Sequence, residues 1–210
     1  MEDKNMIFKK FDKHLMEDKQ PSKYFNELIE KDEFPDIYPF TLLKELIDVP
    51  QSLKHHPEGS VWNHTLLVID NASEKKELSE EPHAFMWAAL LHDLGKKPTT
   101  RMRKGRITSY DHDRHGERIA RKFLQELTDD KEFIDKVAYL VRWHMQTLFV
   151  VKDLPFADIE TMISQVSVDE VALLSLCDRF GRGEMTVEKY AEEEENIKTF
   201  VNKSKEYVKY

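Results

Sequence analysis

The chain has 210 residues, 40% of them apolar and 34% charged, which suits one domain, or one with appendages, around a core of ordinary size. Its formal net charge of −8 excludes a general polyanion binder, which needs an excess of Lys and Arg, but not a local basic patch. One cysteine excludes an internal disulfide and suits a reducing cytosol, and six Gly with eight Pro argue against many tight β-turns.

The N-terminal "MEDKNMIFKKFDKHLMEDK" has no apolar core of signal-peptide length, and no run in the chain approaches the ~18 apolar residues of a membrane helix. The expectation is a soluble cytoplasmic protein without a membrane partner. The pattern is helical nearly throughout. Residues 22–31 carry Tyr24, Phe25, Leu28 and Ile29 at helical spacing, and 40–48 predict a short second helix closed by Pro50. "SVWNHTLLVIDNASEKK" reads as a helix capped by Ser60, with Leu67, Val68 and Asn71 on the His64 face. Pro82 suits the first turn of the next helix, expected to run to Leu94 with Gly95 as its C-cap glycine.

Residues 97–110, "KPTTRMRKGRITSY", break the helical period, and Thr, Ile and Tyr around Lys104-Gly105 predict a small β-hairpin. Helices follow at about 112–128, 130–149, 156–166 and 168–180, with Ser167 and Glu170 matching a capping box. A last helix at about 186–207 has Val187, Tyr190, Ile197, Val201 and Val208 on one stripe, its "EEEE" block reading as a solvated face. There are no repeats, no low-complexity linker and no clear domain boundary.

Several polar residues fall on otherwise apolar faces. His64 sits with Leu67 and Val68; His92 and Asp93 follow Ala88, Ala89, Leu90 and Leu91; His144 shares a stripe with Val137, Leu140 and Val141; Asp178 shares one with Val171 and Leu174. His112 and His115 are one turn apart at a helix start. A lone histidine on such a face is more often a hydrogen-bonded core residue than a ligand. The carboxylates are harder to explain, because an ionised carboxylate buried without a partner costs several kcal/mol or is forced neutral. Arg179, beside Asp178, points away from it on a helix. A metal ion is the simplest single partner for Asp93, Asp178 and the histidines, and Mn, Fe, Co, Ni or Zn accept such ligands. The absence of thiolate ligands argues against a structural zinc cage. A helix ending at His92-Asp93 also directs carbonyl partial charge at a cation. Beyond it, Lys96, Lys97, Arg101, Arg103, Lys104 and Arg106 occur with no acid between Asp93 and Asp111. They form either a solvated hairpin or a cationic rim that attracts phosphate to the site.

The order His64, His92-Asp93, Asp178, with His112 and His144 between, resembles the HD superfamily of metal-dependent phosphohydrolases, whose pattern is H…HD…D on separate helices. The chain is similar in particular to the HD domain attached to bacterial tRNA nucleotidyltransferases. "HPEGSVWNHTLLVID", "LLHDLGKKPTTR", "YDHDRHGERIARKFLQEL", "LVRWHM" and "LSLCDRFGRG" carry the likeness over about 56–183. The family's H-x-x-x-G element falls on His112 to Gly116, leaving His115 without an assured counterpart. Cys177 stands where the family often has alanine, with no functional consequence expected.

The resemblance implies an all-α HD-type bundle with the hairpin after its HD helix: one domain, with 1–55 as an N-terminal helical extension, 56–183 as the core and 184–210 as a C-terminal helix. It implies hydrolysis of a phosphomonoester or cyclic phosphodiester of a nucleotide or RNA end. His64, His92, Asp93 and Asp178 would hold one divalent ion (Mn, Ni, Co, Fe, Zn or Mg). His112 and His144, with Asp93 bridging, would hold a second or face the phosphate. Asp93 would also orient the attacking water, Lys96 would contact the reacting phosphate, and His115 and Arg182 are further substrate contacts. A small nucleotide suits an acidic protein better than long RNA. The alternative is a non-catalytic nucleotide- or RNA-binding module, which would not need the whole ligand set. No glycine-rich strand-turn followed by an acidic pair precedes the core, so addition of nucleotides to tRNA is not expected.

Overall fold

The computed structural model describes residues 3–183 and 185–207. It begins with a helix inside the expected N-terminal helical extension, at bounds that no periodic pattern marked. α1 (Lys4–Glu17) is capped by the Asp3 carboxylate and buries Ile7, Phe11 and Leu15, one residue per turn among Lys and Glu. Its apolar stripe is narrow, which is why the charged composition obscures it. α2 (Pro21–Glu30) follows with Pro21 in its first turn. The expected helix at 40–48 is split into α3 (Thr41–Lys44) and a tighter 3₁₀ turn, Glu45–Asp48. Phe11 packs edge-on against Phe25 at 4.9 Å and lies 5.1 Å from Phe40, joining these pieces to the core.

α4 (Val61–Lys75) is capped as expected, the Ser60 hydroxyl accepting from the Asn63 N–H. Val68 is buried beside His64, but Leu67 is exposed. α5 (Pro82–Leu91) is buried at every position from Ala84 to Leu91. A helix apolar all round belongs at the centre, and α1, α4, α8 (Lys131–Trp143) and α11 (Val168–Phe180) pack around it. It stops at Leu91, three residues short of the expectation, so His92 and Asp93 lie in the turn that leads to α6 (Lys96–Thr99).

Gly95 is not a left-handed C-cap, for its φ is −67°. It is required by close approach: a Cβ there would stand 1.9 Å from the His112 carbonyl oxygen and 2.6 Å from the Gly116 nitrogen. The hairpin is present as β1 (Thr100–Arg103) and β2 (Arg106–Ser109), antiparallel, with positive φ at both Lys104 and Gly105. Such a turn matches the twist of its strands.

α7 (His112–Gln125) leads to α8, and the helix expected over 130–149 breaks after Trp143, resuming as α9 (Gln146–Val151). α10 (Ile159–Ile163) is shorter than predicted, whereas α11 has its expected bounds. The capping box is only half made. Ser167 accepts from the Asp169 N–H, but Glu170 turns to Ser79 Oγ and the Glu80 N–H, tying α11 to the loop before α5.

α12 (Val187–Tyr207) buries Glu193, Phe200 and Ser204, with Ile197 and Val201 packed beside them; Val187, 80% exposed, is off the stripe, and Val208 lies outside the described residues. Glu193 also corrects the view of the "EEEE" block as wholly solvated, since it is buried against Arg179. Among the described residues the fold is helical apart from one small hairpin, as expected. Among the described residues no helix is long and apolar enough to cross a membrane.

Candidate metal centre

His92 is the C-cap of α5 and His144 the C-cap of α8. Each ring turns back on its own helix end. His92 Nδ1–H donates to the Ala89 carbonyl at 2.8 Å, and His144 Nδ1–H donates to Val141 at 2.7 Å. His112, at the start of α7, does the same to Ser109 at 2.8 Å. A carbonyl can only accept, so the three Nδ1 atoms carry the protons and the Nε2 lone pairs point inward. The same device satisfies carbonyls that a helix end leaves without partners.

The lone pairs meet at a polar point in the core. His112 Nε2 and His144 Nε2 lie 3.2 Å apart, a separation at which two acceptors cannot bond each other. His92 Nε2 and the Asp93 carboxylate are buried, and Asp93 Oδ1 has no hydrogen-bond partner. His92 Nε2 is 3.3 Å and His112 Nε2 3.6 Å from the Asp93 oxygens. Lys96 Nζ, 2.7 Å from Asp93 Oδ2, is the compensating cation. His64 comes from α4, its Nε2 2.9 Å from Asp178 Oδ1 on α11. Orphaned lone pairs of nitrogen and oxygen, with no sulfur, are a donor set that fits a divalent ion. The ligand atoms of His64, His92 and Asp93 lie within 4.8 Å of one another, as do those of Asp93, His112 and His144, so the set accommodates one ion or two with Asp93 shared.

The charges follow from this packing. Burial opposes ionisation of Asp93, yet Lys96 and then His92 hold it well below the usual carboxylate range. Asp178, equally buried, is held low by His64. Burial likewise opposes a charge on His64, but hydrogen bonds to Asp178 and Glu58 raise it to about 9. His144 falls to about 4 through burial and the neighbouring His112 and His92, and burial also lowers His112. Burial pushes the Cys177 thiol up to about 12, so it is inert beside the site.

The site opens into a cavity of about 400 Å³. Lys96 and Arg182 line it; His115 is not among its lining residues. Lys96 also donates to Gln51 Oε1 at 2.7 Å. The basic stretch divides: Lys97 lies 3.7 Å from Glu45, while Arg101, Arg103, Lys104 and Arg106 are exposed on the hairpin, which meets the cavity through Ile107 and Ser109. Sequence reasoning missed Gln51, His56, Glu58 and Arg179. The first three sit on the loop between Pro50 and Ser60, which bridge each other, so no helical period could single them out.

The HD domain family model matches residues 61–183, more than half of the chain. The chain belongs to the HD domain family. HD domains are in general metal-dependent phosphohydrolases that bind divalent ions. Relatives include the multifunctional CCA protein of Actinobacillus pleuropneumoniae serotype 5b, 38% identical over 117 residues, 54% of this chain and 27% of that protein. Those of Neisseria meningitidis serogroup A (32% over 139 residues) and Alkalilimnicola ehrlichii (29% over 140 residues) match 66% and 67% of this chain and 31% and 32% of their own lengths. The chain thus spans less than a third of these curated relatives. The HD domain here is related to that of the CCA proteins, and its HD dipeptide is the turn at His92-Asp93.

Proposed function

We propose that this HD domain hydrolyses a phosphomonoester or cyclic phosphodiester of a nucleotide or RNA end. The observation that carries the reading is the convergence of the Nε2 atoms of His92, His112 and His144, whose Nδ1 atoms donate to backbone carbonyls, on the buried Asp93 carboxylate. In this reading His64, His92, Asp93 and Asp178 hold one divalent ion, and His112 and His144, with Asp93, hold a second or hydrogen-bond the substrate phosphate. The chemistry such an ion supplies is a water of lowered pKa and neutralisation of phosphoryl charge. Asp93 orients that water through a carboxylate oxygen. Lys96, 2.7 Å from Asp93 Oδ2 and exposed to the cavity, binds the phosphate beside it. A cavity of about 400 Å³ suits a small nucleotide or the end of an RNA.

Metal analysis of the purified protein should find about one or two divalent ions per chain, the count that the groups His64-His92-Asp93 and Asp93-His112-His144 accommodate. His92→Ala and Asp93→Ala should each remove most metal and all turnover on a panel of nucleotide phosphomonoesters and 2′,3′-cyclic phosphates. His112→Ala and His144→Ala should lower metal content if a second ion is bound, and otherwise change only kcat or KM. Full metal retention in His92→Ala and Asp93→Ala, or nucleotide binding without turnover at any divalent metal, sinks the reading and favours the binding module.

A further inference from the structure

The cavity at the metal centre has a second cationic wall. Arg179 and Arg182, in the last turn of α11 and just beyond it, line it together with Asp93, Lys96, His112 and Asp178. They also border a smaller hollow of about 140 Å³ between α9 and α12, which Asp93, Lys96 and His112 do not line. The two arginines therefore stand where one hollow gives way to the other, whereas Lys96 borders only the first.

Their charge is only partly met. Among the described residues, the carboxylate within ion-pair distance of both is Glu193 of α12, 3.4 Å from Arg179 Nη1 and 4.0 Å from Arg182 Nη1. Charge-assisted bonds run to about 2.7–2.9 Å, so both contacts are long. Glu193 is shared further with Lys189 at 3.5 Å. Arg182 Nε is buried with no acceptor. Lys96 differs, being satisfied by both Asp93 and Gln51. Two guanidinium forks that line the cavity, with Glu193 as a shared and distant ion-pair partner and the buried Asp178 as the other nearby acid, form an arrangement that a phosphate completes, because the fork matches phosphate oxygens in pairs. The same cavity has an apolar wall of Pro50, Ile107, Met145 and Leu148, suited to a base or ribose.

We propose that Arg179 and Arg182 form a second anion subsite that takes a phosphate other than the one at the metal centre, so that the preferred ligand carries two phosphate groups on a nucleotide-sized body. The proposal rests on the reading of the metal centre as the site of the first phosphate. The second phosphate belongs either to the same nucleotide or to the adjoining one of an RNA end.

The test is calorimetric binding to the full chain, as purified and again with chelator to stop turnover. The probes are 3′-AMP, 5′-AMP, adenosine 3′,5′-bisphosphate, and the dinucleotide ApA with and without a 3′-phosphate. The bisphosphate should bind about tenfold more tightly than the better monophosphate, the worth of one charge-assisted pair. Arg182→Gln should abolish that increment, and Arg179→Lys, which keeps charge but not the fork, should reduce it. An Arg-dependent increment for the dinucleotide 3′-phosphate, larger than that for the bisphosphate, assigns the second phosphate to RNA. A bisphosphate bound no better than a monophosphate together with no dinucleotide increment, an increment that survives both variants, or equal losses for every probe, overturns the subsite. If Arg182→Gln does not fold, the wild-type preference and Arg179→Lys decide. Binding in chelator does not depend on hydrolysis, so a failure of the phosphoester panel overturns the metal-centre reading alone.

Discussion

Glu58 reaches the site from behind. Its Oε1 accepts from His56 Nδ1 at 2.8 Å and lies 3.0 Å from His64 Nδ1, while its Oε2 accepts from the Gly183 N–H at 3.3 Å. Burial opposes its charge, yet the two histidines hold it well below the usual carboxylate range. A carboxylate on the far nitrogen fixes a ligating imidazole in one tautomer and raises its basicity. Glu58→Ala should therefore weaken metal binding about 10–100-fold in a competition titration, with the helical spectrum unchanged. Glu58→Gln, which can still accept from Nδ1, should fall between. Wild-type affinity in Glu58→Ala would mean that the Gly181 carbonyl, 3.2 Å from the same nitrogen, suffices to orient His64. At this scale the ligand-type residues were legible in the sequence, since His92, Asp93, His144 and Asp178 interrupt apolar runs. Glu58 was not, for it belongs to no helix and shares no periodic face.

Helix ends and helix contacts decide whether those residues meet. Gly95 lets the turn after α5 rest on the backbone of α7, and Gly95→Ala would drive a methyl into the His112 carbonyl at 1.9 Å. Backbone cannot give way as a side chain can, so a loss at or above the usual ~1–3 kcal/mol of overpacking is expected in denaturant unfolding, accompanied by loss of metal. Full stability in that variant would show that α7 slides freely on the turn. α1 is held to α5 by Asp12, which accepts from Trp87 Nε1 at 2.9 Å and pairs with His83. Burial raises the Asp12 pKa, but these partners lower it on balance. A depressed carboxylate stabilises the fold above its unfolded pKa and loses that contribution as pH falls through its folded value. Asp12→Ala should thus cost about 1–2 kcal/mol at neutral pH, by removing the contact with His83 and orphaning the Trp87 N–H, with a gap to wild type that narrows below about pH 4, where the contribution of the ionised carboxylate is lost. A gap of unchanged size at low pH would assign the effect to packing and the neutral hydrogen bond. The end of α8 also belongs here. Continuous apolar spacing predicted one helix through residue 149, whereas α8 ends at Trp143 and its C-cap, His144, turns Nδ1 back to the Val141 carbonyl.

Across the whole molecule, the exposed hairpin arginines oppose a net charge of −8. If they steer a small nucleotide, the double variant Arg103→Glu/Arg106→Glu should raise KM a few-fold at low salt, an effect that shrinks with added salt while kcat holds. If they bind RNA, affinity should fall about tenfold or more and the salt slope should drop by about two. Lys96→Ala, which the proposed function sets beside the phosphate, should lower kcat at every salt concentration; a salt-independent loss from the hairpin pair and none from Lys96 would reverse their roles. By itself the sequence determined the helical class, the hairpin at Lys104-Gly105, the caps at Ser60 and Ser167, and the polar residues placed on apolar faces, because each is set by spacing within a few residues. Only the tertiary structure decided that His64, His92, Asp93, His112, His144 and Asp178 converge, that His115 stays off the cavity wall, and that Glu58, Gln51 and Arg179 join the site. A local period reports which face of a helix is buried, whereas the point at which several buried faces meet depends on where the helices end and how closely their backbones approach.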